Sequence, residues 1–246
     1  MSGDERTSLS DELNGVPRVV AEGALELLGL LPRSSNYTFL ARASLGDEQA
    51  LAVYKPRRGE TPLWDFPDGT LCNREVAAYV VARSLGWPNI PPTVLREGPE
   101  GEGSVQLFVE FDAGEHYFTL AEAGRFAGEF RRVALFDVVV NNADRKSGHC
   151  LLGHDGRIHV VDHGVCFSDE EKLRTVIWEF AGEPVSPQDL ADLRRLSDGF
   201  EILRDELGAL LSEEELRAMR ARLSAVVGTG RFPEPGEHRP FPWPPV

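Results

Sequence analysis

The apolar run Ala134-Leu135-Phe136-Asp137-Val138-Val139-Val140 breaks off without a glycine or proline into Asn141-Asn142-Ala143-Asp144-Arg145. The run continues a helical pattern that starts near Ala121, and its apolar density says that this helix is largely buried. A polar cluster placed directly after a buried helix must be solvated or hydrogen-bonded, and the floor of a cleft meets both demands. Downstream, Cys150 to Leu152 and Arg157 to Val161 flank Asp155-Gly156, a strong hairpin signal. That hairpin delivers Asp162-His163-Gly164 at its far end. Asp162 follows the apolar residues Ile158, Val160 and Val161, so its charge sits near buried structure and needs a metal, a donor network or a turn-capping role to accept it.

Ahead of this region, Ala24 to Leu30, Thr38 to Leu45 and Gln49 to Tyr54 are short apolar or alternating runs parted by turn residues, notably Gly46-Asp47. They predict an antiparallel meander. Residues 71 to 85 carry Val76, Ala77, Val80, Val81 and Leu85 at helical spacing and stop at Gly86, with Pro88 beyond. Pro92 to Arg96 and Ser104 to Phe111 read as a further hairpin around EGPEGEG. Five strands and a helix then make a first lobe over 21–112, and a mostly helical second lobe spans 113–231, with helical patterns at 187–206 and 212–226. Ser212 and Glu215 have capping-box spacing. Residues 1–20 read as a mobile lead. The proline-rich 232–246 supplies few backbone donors; it reads either as a loosely packed terminus or as a segment that docks, or recruits a partner, through Phe241 and Trp243.

With 41% hydrophobic and 27% charged residues in 246, the composition is that of a globular chain. No stretch reaches the roughly 18 apolar residues of a spanning helix, and the first residues are acidic and polar where a signal peptide is basic and then apolar. A soluble, cytoplasmic protein without membrane insertion is expected. A formal net charge of -14 opposes binding to nucleic acid or anionic membranes. Lys55, Arg57, Arg58 and Arg74 are the candidates for a local basic cleft. Cys72, Cys150 and Cys166 are odd in number and include no Cys-x-x-Cys pair, so they read as small buried apolar residues.

Phosphoryl transfer from a nucleotide needs a cation on the phosphates, a carboxylate near the attacking hydroxyl and a carboxylate holding a divalent metal. The chain offers Lys55, Asp144 and Asp162, with His149 five residues after Asp144. In the protein-kinase signature the catalytic Asp is followed five positions later by a metal-binding Asn, and a hairpin leads to Asp-Phe-Gly. DRKSGH, the hairpin and VDHG resemble that order, and Asn142-Ala143-Asp144-Arg145 resembles the Asn-x-Asp-Arg loop of the phosphatidylinositol 3-/4-kinase branch and of HipA kinases. The similarity extends to VYKP at 53–56, REVAAY at 74–79 and GSVQLFVEF at 103–111. The segment YKPRRGETPLWDFPDGTL is similar to an actinobacterial family described only as kinase-related.

The resemblance implies an α+β, two-lobed protein-kinase-like fold that binds ATP with Mg²⁺ or Mn²⁺ and transfers phosphate to a protein or small-molecule hydroxyl. It implies that Asp144 and Arg145 form the catalytic loop, Asp162 and His149 bind metal, Lys55 contacts phosphates and pairs with Glu75, and Gln106 to Glu110, with Phe108 and Val109 among them, line the adenine hinge. Two departures qualify it. His149 replaces the usual Asn, and imidazole is a poorer ligand for hard Mg²⁺, though acceptable to Mn²⁺; a structural histidine bonded to the loop is the other reading. The glycine-rich loop is missing, and Ser34, Ser35 and Asn36 stand where donors could cap phosphates. A nucleotide-binding pseudokinase acting as an interaction module, or an AMP transferase, are the alternative readings. His163 reads as a packing residue, Arg74 as a surface or substrate-side residue, and Trp64-Asp65-Phe66 as a substrate-side flap or a packed loop.

Overall fold

The computed structural model describes residues 12–13, 15–32, 36–236 and 239–246. Two compact units emerge: the described residues through Thr61 with Pro92–Phe108, and Pro62–Pro91 with Val109–Val246. The readings for Ser34 and Ser35 lie outside the described residues.

The first unit opens with a two-stranded ladder, β1 (Glu12–Leu13) against β2 (Val16–Pro17), and a short helix α1 (Arg18–Glu22). Val16, Val19 and Val20 are buried, so the last part of the expected mobile lead is structured. Strands β3 (Ala24–Leu30), β4 (Phe39–Leu45), β5 (Glu48–Pro56), β6 (Thr93–Gly98) and β7 (Gly101–Leu107) form a fully antiparallel sheet in the order β3-β4-β5-β7-β6. The β6–β7 hairpin is tighter than expected: most of EGPEGEG is absorbed into the strands, leaving Pro99 and Glu100 as the turn. Helix α1 packs across β4, β5 and β7. On one sheet face Ala41, Ala43, Ala52, Tyr54 and Val105 are fully buried. Alternation then puts Lys55 on the opposite face, beside its register partner Ser104 and near Val53 and Gln106.

The second unit takes in helix α2 (Leu71–Leu85), which sequence patterning had assigned to the first lobe. It ends as expected at Gly86, whose φ of 84° is the left-handed cap that glycine adopts without strain. Apolar side chains all round the helix, with Val76, Ala77, Val80 and Val81 buried, mark it as a core element. The helical run expected from Ala121 is two helices, α3 (Tyr117–Glu122) and α4 (Ala127–Val140), parted where Gly124 and Phe126 take positive φ. A short 3₁₀ turn (Ser147–His149) leads into the hairpin β8 (Cys150–Leu152) and β9 (Ile158–Val160). Helices α5 (Pro187–Asp198), α6 (Phe200–Leu207) and α7 (Glu213–Thr229) complete the unit, with Gly199 dividing what read as one helix. The Ser212/Glu215 capping box is present in both directions. Helix α4 lies against α7, and its Leu135, Phe136, Val139 and Val140 are fully buried, each such side chain gaining about 1.5–3 kcal/mol.

Candidate active site

Helix α4 stops because Asn141 turns left-handed at φ 53°, a conformation Asn tolerates. Its side chain then holds the segment beyond the hairpin: Nδ2 donates to Ser168 O at 3.0 Å and Glu170 O at 2.6 Å, and Oδ1 accepts from Lys172 N at 3.0 Å. The next residue faces inward. Asn142 Nδ2 donates to Asp137 Oδ1 at 2.9 Å, while Asn142 Oδ1 accepts from the Asp144 amide at 2.9 Å. Asp144 is thereby set by a buried amide that is itself anchored one helical turn earlier.

That anchor, Asp137, is 0% exposed, and so is its cation Arg145. Arg145 Nε reaches Oδ2 at 3.0 Å and Nη2 reaches Oδ1 at 3.0 Å, the forked geometry in which a buried pair is most favourable. The guanidinium continues across the hairpin's exit, donating from Nη1 to Val161 O at 3.0 Å and from Nη2 to His163 Nε2 at 2.7 Å. Because arginine only donates, His163 accepts at Nε2 and carries its proton on Nδ1. Val161 N in turn donates to His149 O at 3.0 Å, and His163 N donates to Glu75 Oε2 at 3.0 Å. Both neighbours of Asp162 are therefore pinned, and Asp162 itself sits at φ 62°, a strained position for a non-glycine residue that persists only when its surroundings over-determine it.

Asp162 is 52% exposed at the side chain, and its negative charge is felt at Asp144. Burial raises the Asp144 pKa above the ordinary aspartate value; Lys146, with Nζ at 3.1 Å, opposes the rise and Asp162 adds to it. His149 lies between the two acids in sequence and beside one in space: Nε2 is 3.4 Å from Asp162 Oδ2, and Nδ1 accepts from the Lys146 amide at 3.4 Å. With Nδ1 accepting, Nε2 carries the proton that faces Asp162.

These geometries join a wider likeness. Protein Rv2133c of Mycobacterium tuberculosis is 40% identical, over 92% of this chain and 94% of that protein. The chain belongs to the Rv2133c family. The chain also shares sequence with part of a larger plant protein: phosphatidylinositol 4-kinase gamma 4 of rice is 30% identical over 48% of this chain, spanning 24% of the plant protein. Phosphatidylinositol 4-kinase gamma 3 of Arabidopsis thaliana is 26% identical over 61% of the chain and 33% of that protein. Among solved structures, the Helicobacter pylori proinflammatory kinase CtkA superposes with a TM-score of 0.52 at 12% identity, covering 86% of this chain and 94% of that one. The fold of the Rv2133c family member is thus kinase-like, α+β with an antiparallel sheet and a helical part. A scan against models of known protein families finds no match.

The remaining expected residues fall as follows. Lys55 is on β5 of the first unit and Glu75 on α2 of the second. The expected hinge coincides with a boundary between units: Gln106 and Phe108 belong to the first, Val109 and Glu110 to the second. The Gln106 amide is engaged within the sheet, donating to Thr93 Oγ1 at 2.8 Å, and Phe108 N donates to Leu51 O at 2.9 Å. Asn36 Oδ1 accepts from the Thr61 amide at 2.8 Å, so its side chain ties the turn to the strand exit. The basic cleft does not form as expected, because Arg57 pairs with Glu102, Arg58 with Glu100 and Arg74 with Glu215. Arg74 is 1% exposed and also donates to Cys166 O, which corrects its reading as a surface residue. A cavity of about 1030 Å³ elsewhere in the second unit, walled by α7 and residues 169–174, contains neither Asp144 nor Asp162.

Two residues of the candidate site escaped the sequence reading. Asp137 was visible as an acid inside ALFDVVV, and an ionisable group amid buried apolar residues signals a paired charge. Lys146 carried no such signal, since its role depends on where the loop folds.

Proposed function

We propose that this chain is an ATP-dependent phosphotransferase, an atypical kinase acting with Mg²⁺ or Mn²⁺ on a protein or small-molecule hydroxyl. The observation that carries the reading is the link Asn142–Asp137–Arg145–Val161, which fixes the backbone at Asp144 and at Asp162 through one buried ion pair. In this reading Asp162 would hold the divalent cation, because it is exposed enough to coordinate and hard cations favour carboxylate oxygen; among the described residues no group of three or more acidic, histidine or cysteine side chains is gathered to hold a metal. The metal, when bound, neutralises charge developing on the transferred phosphoryl group.

In this reading Asp144 accepts the proton of the acceptor hydroxyl, a role helped by a pKa raised toward the working pH. Lys146, hydrogen-bonded to it, limits that rise. Asp162 is the principal metal ligand. Lys55 steadies phosphates from the sheet face opposite α1, and the segment 106–110 borders adenine through its main chain, because Gln106 is spent on Thr93. Arg145, having no exposed surface, positions the loop instead of touching substrate. A phosphoinositide acceptor, which the names of the plant relatives raise, is disfavoured by Asp169, Glu170 and Glu171 after Asp162, where a polyanionic headgroup needs cations.

The test is turnover of ATP by the pure protein with Mg²⁺ and with Mn²⁺, compared with Asp144→Ala and Asp162→Ala. Losses on the order of 10²–10⁴-fold are expected; unchanged turnover in both variants overturns the assignment. A nucleotide-binding pseudokinase is the second reading, favoured by the Nε2–H of His149 facing Asp162 where a kinase presents an amide oxygen. Stabilisation by metal-ATP with no product from any acceptor supports it. Mass spectrometry of the product separates transfer of phosphate from transfer of AMP.

A further inference from the structure

The last residues of the chain make main-chain contacts beside the loop just described. Ser147, 0% exposed, donates its amide to Pro245 O at 2.9 Å. Thr175, also buried, donates its amide to Pro240 O at 3.0 Å, and the same carbonyl accepts from Trp178 Nε1 at 2.9 Å. The strand-like segment 174–176 in turn lies along the catalytic loop: Arg174 N donates to Asn142 O at 2.9 Å, Arg145 N to Arg174 O at 3.0 Å, and Val176 N to Arg145 O at 3.1 Å. Thr175 Oγ1 also reaches Asp137 Oδ2 at 3.4 Å. The C-terminal segment thus touches the loop twice, once directly at Ser147 and once through Thr175.

Chemistry suits the arrangement. Proline has a carbonyl and no N–H, so Pro240 and Pro245 can serve only as acceptors at these positions, and the two buried loop amides can only donate. Without the segment both amides lose their acceptors inside the protein. Pro242 is buried against the body, while Phe241 and Trp243 point outward at 55% and 81% exposure, so the anchoring is through main chain and not through the aromatic rings.

We propose that residues 239–246 are a positioning strand of the catalytic loop, holding Ser147 and Thr175 so that Asp144 keeps its place; this rests on the phosphotransferase reading above. The role is one of orientation. Removing the strand therefore lowers kcat while the KM for ATP, set by groups outside the loop, stays unchanged, because a displacement of about 1 Å at a reacting group costs on the order of 10²-fold.

The experiment compares the full chain with a chain ending at His238 and with full-length Ser147→Pro. Proline fits the first position of the 3₁₀ turn; it removes the N–H that Pro245 accepts together with the Ser147 hydroxyl, which makes no hydrogen bond among the described residues. Kinetics with Mn²⁺-ATP, amide hydrogen exchange and thermal unfolding are measured for each, with and without the free peptide RPFPWPPV. Expected are a loss of tenfold or more in kcat for both variants at constant KM, faster exchange at Ser147 and Thr175 in the truncated chain, and recovery of both by the peptide in the truncated chain but not in Ser147→Pro. Full kcat in both variants, or unchanged exchange at the two amides, overturns the proposal. Should the truncated chain fail to fold, Ser147→Pro alone decides. Should the full chain turn over no ATP, the phosphotransferase reading has failed by itself, and protection of Ser147 that truncation removes and peptide restores still separates a docked strand from none.

Discussion

Arg145 forks onto Asp137 with no part of either side chain exposed, eight residues apart in sequence and at the junction of helix α4 with the loop that carries Asp144. Burial alone would lower the arginine pKa, and the Asp137 carboxylate more than offsets it, so the guanidinium stays charged.

Removing one partner leaves a buried charge unpaired. Arg145→Met is expected to cost about 3–5 kcal/mol, a drop of roughly 6 to 20 °C in the unfolding temperature at about 2–4 °C per kcal/mol. Arg145→Lys is not conservative here, since an ammonium cannot serve Asp137, Val161 and His163 with one planar fork. The double variant Asp137→Leu with Arg145→Met is expected to recover much of the stability and none of the turnover, because the loop loses its anchor. Thermal unfolding and ATP turnover, measured together, check this.

Asp144 supplies a pH prediction with a definite sign. Its folded pKa lies above that of an unfolded aspartate, chiefly through burial. Between those two values the folded state holds a proton that the unfolded state has released, so stability falls as pH rises through the window and stays lowered above it. Asp144→Asn is therefore expected to be more stable than the parent at neutral pH and equal to it below the ordinary aspartate range. Unfolding temperature against pH for the two proteins reads the difference directly. The acidic limb of kcat is expected to fall above the ordinary aspartate value for the same reason.

His149 should set the metal preference. An imidazole whose Nε2–H faces Asp162 suits hard Mg²⁺ less than an amide oxygen does. His149→Asn is expected to raise the ratio of Mg²⁺-supported to Mn²⁺-supported turnover severalfold. A ratio that does not move would place His149 in a purely structural role.

Glu75 accepts from the His163 amide, a job a neutral amide oxygen also performs. Glu75→Gln is expected to retain more turnover than Glu75→Ala, which leaves a buried donor without an acceptor at a cost of about 1–3 kcal/mol. Equal losses in the two variants would point instead to the negative charge, and so to a cation such as Lys55, as what matters at this position.

The meander, the Gly86 stop, the capping box at Ser212 and the order loop, hairpin, Asp-His-Gly were all readable in the chain, because each depends on local periodicity or on a residue with one special backbone preference. Where the reading overran, glycine was the cause: Gly124 and Gly199 each divided a helical pattern that continued on both sides. Arg74 was misplaced because an arginine early in a helix reads the same whether it meets water or a glutamate 141 residues away.

Sequence alone determined that Asp144 and Asp162 would terminate two conspicuous apolar segments, since burial of those segments leaves the acids at their ends. Only the tertiary structure decided what holds them. Asp137 to Arg145, His163 to Glu75 and Pro245 to Ser147 are pairings between groups that carry no mark of each other in the chain. Hydrogen bonds select partners by distance and direction in space, and neither is set until the helices have packed.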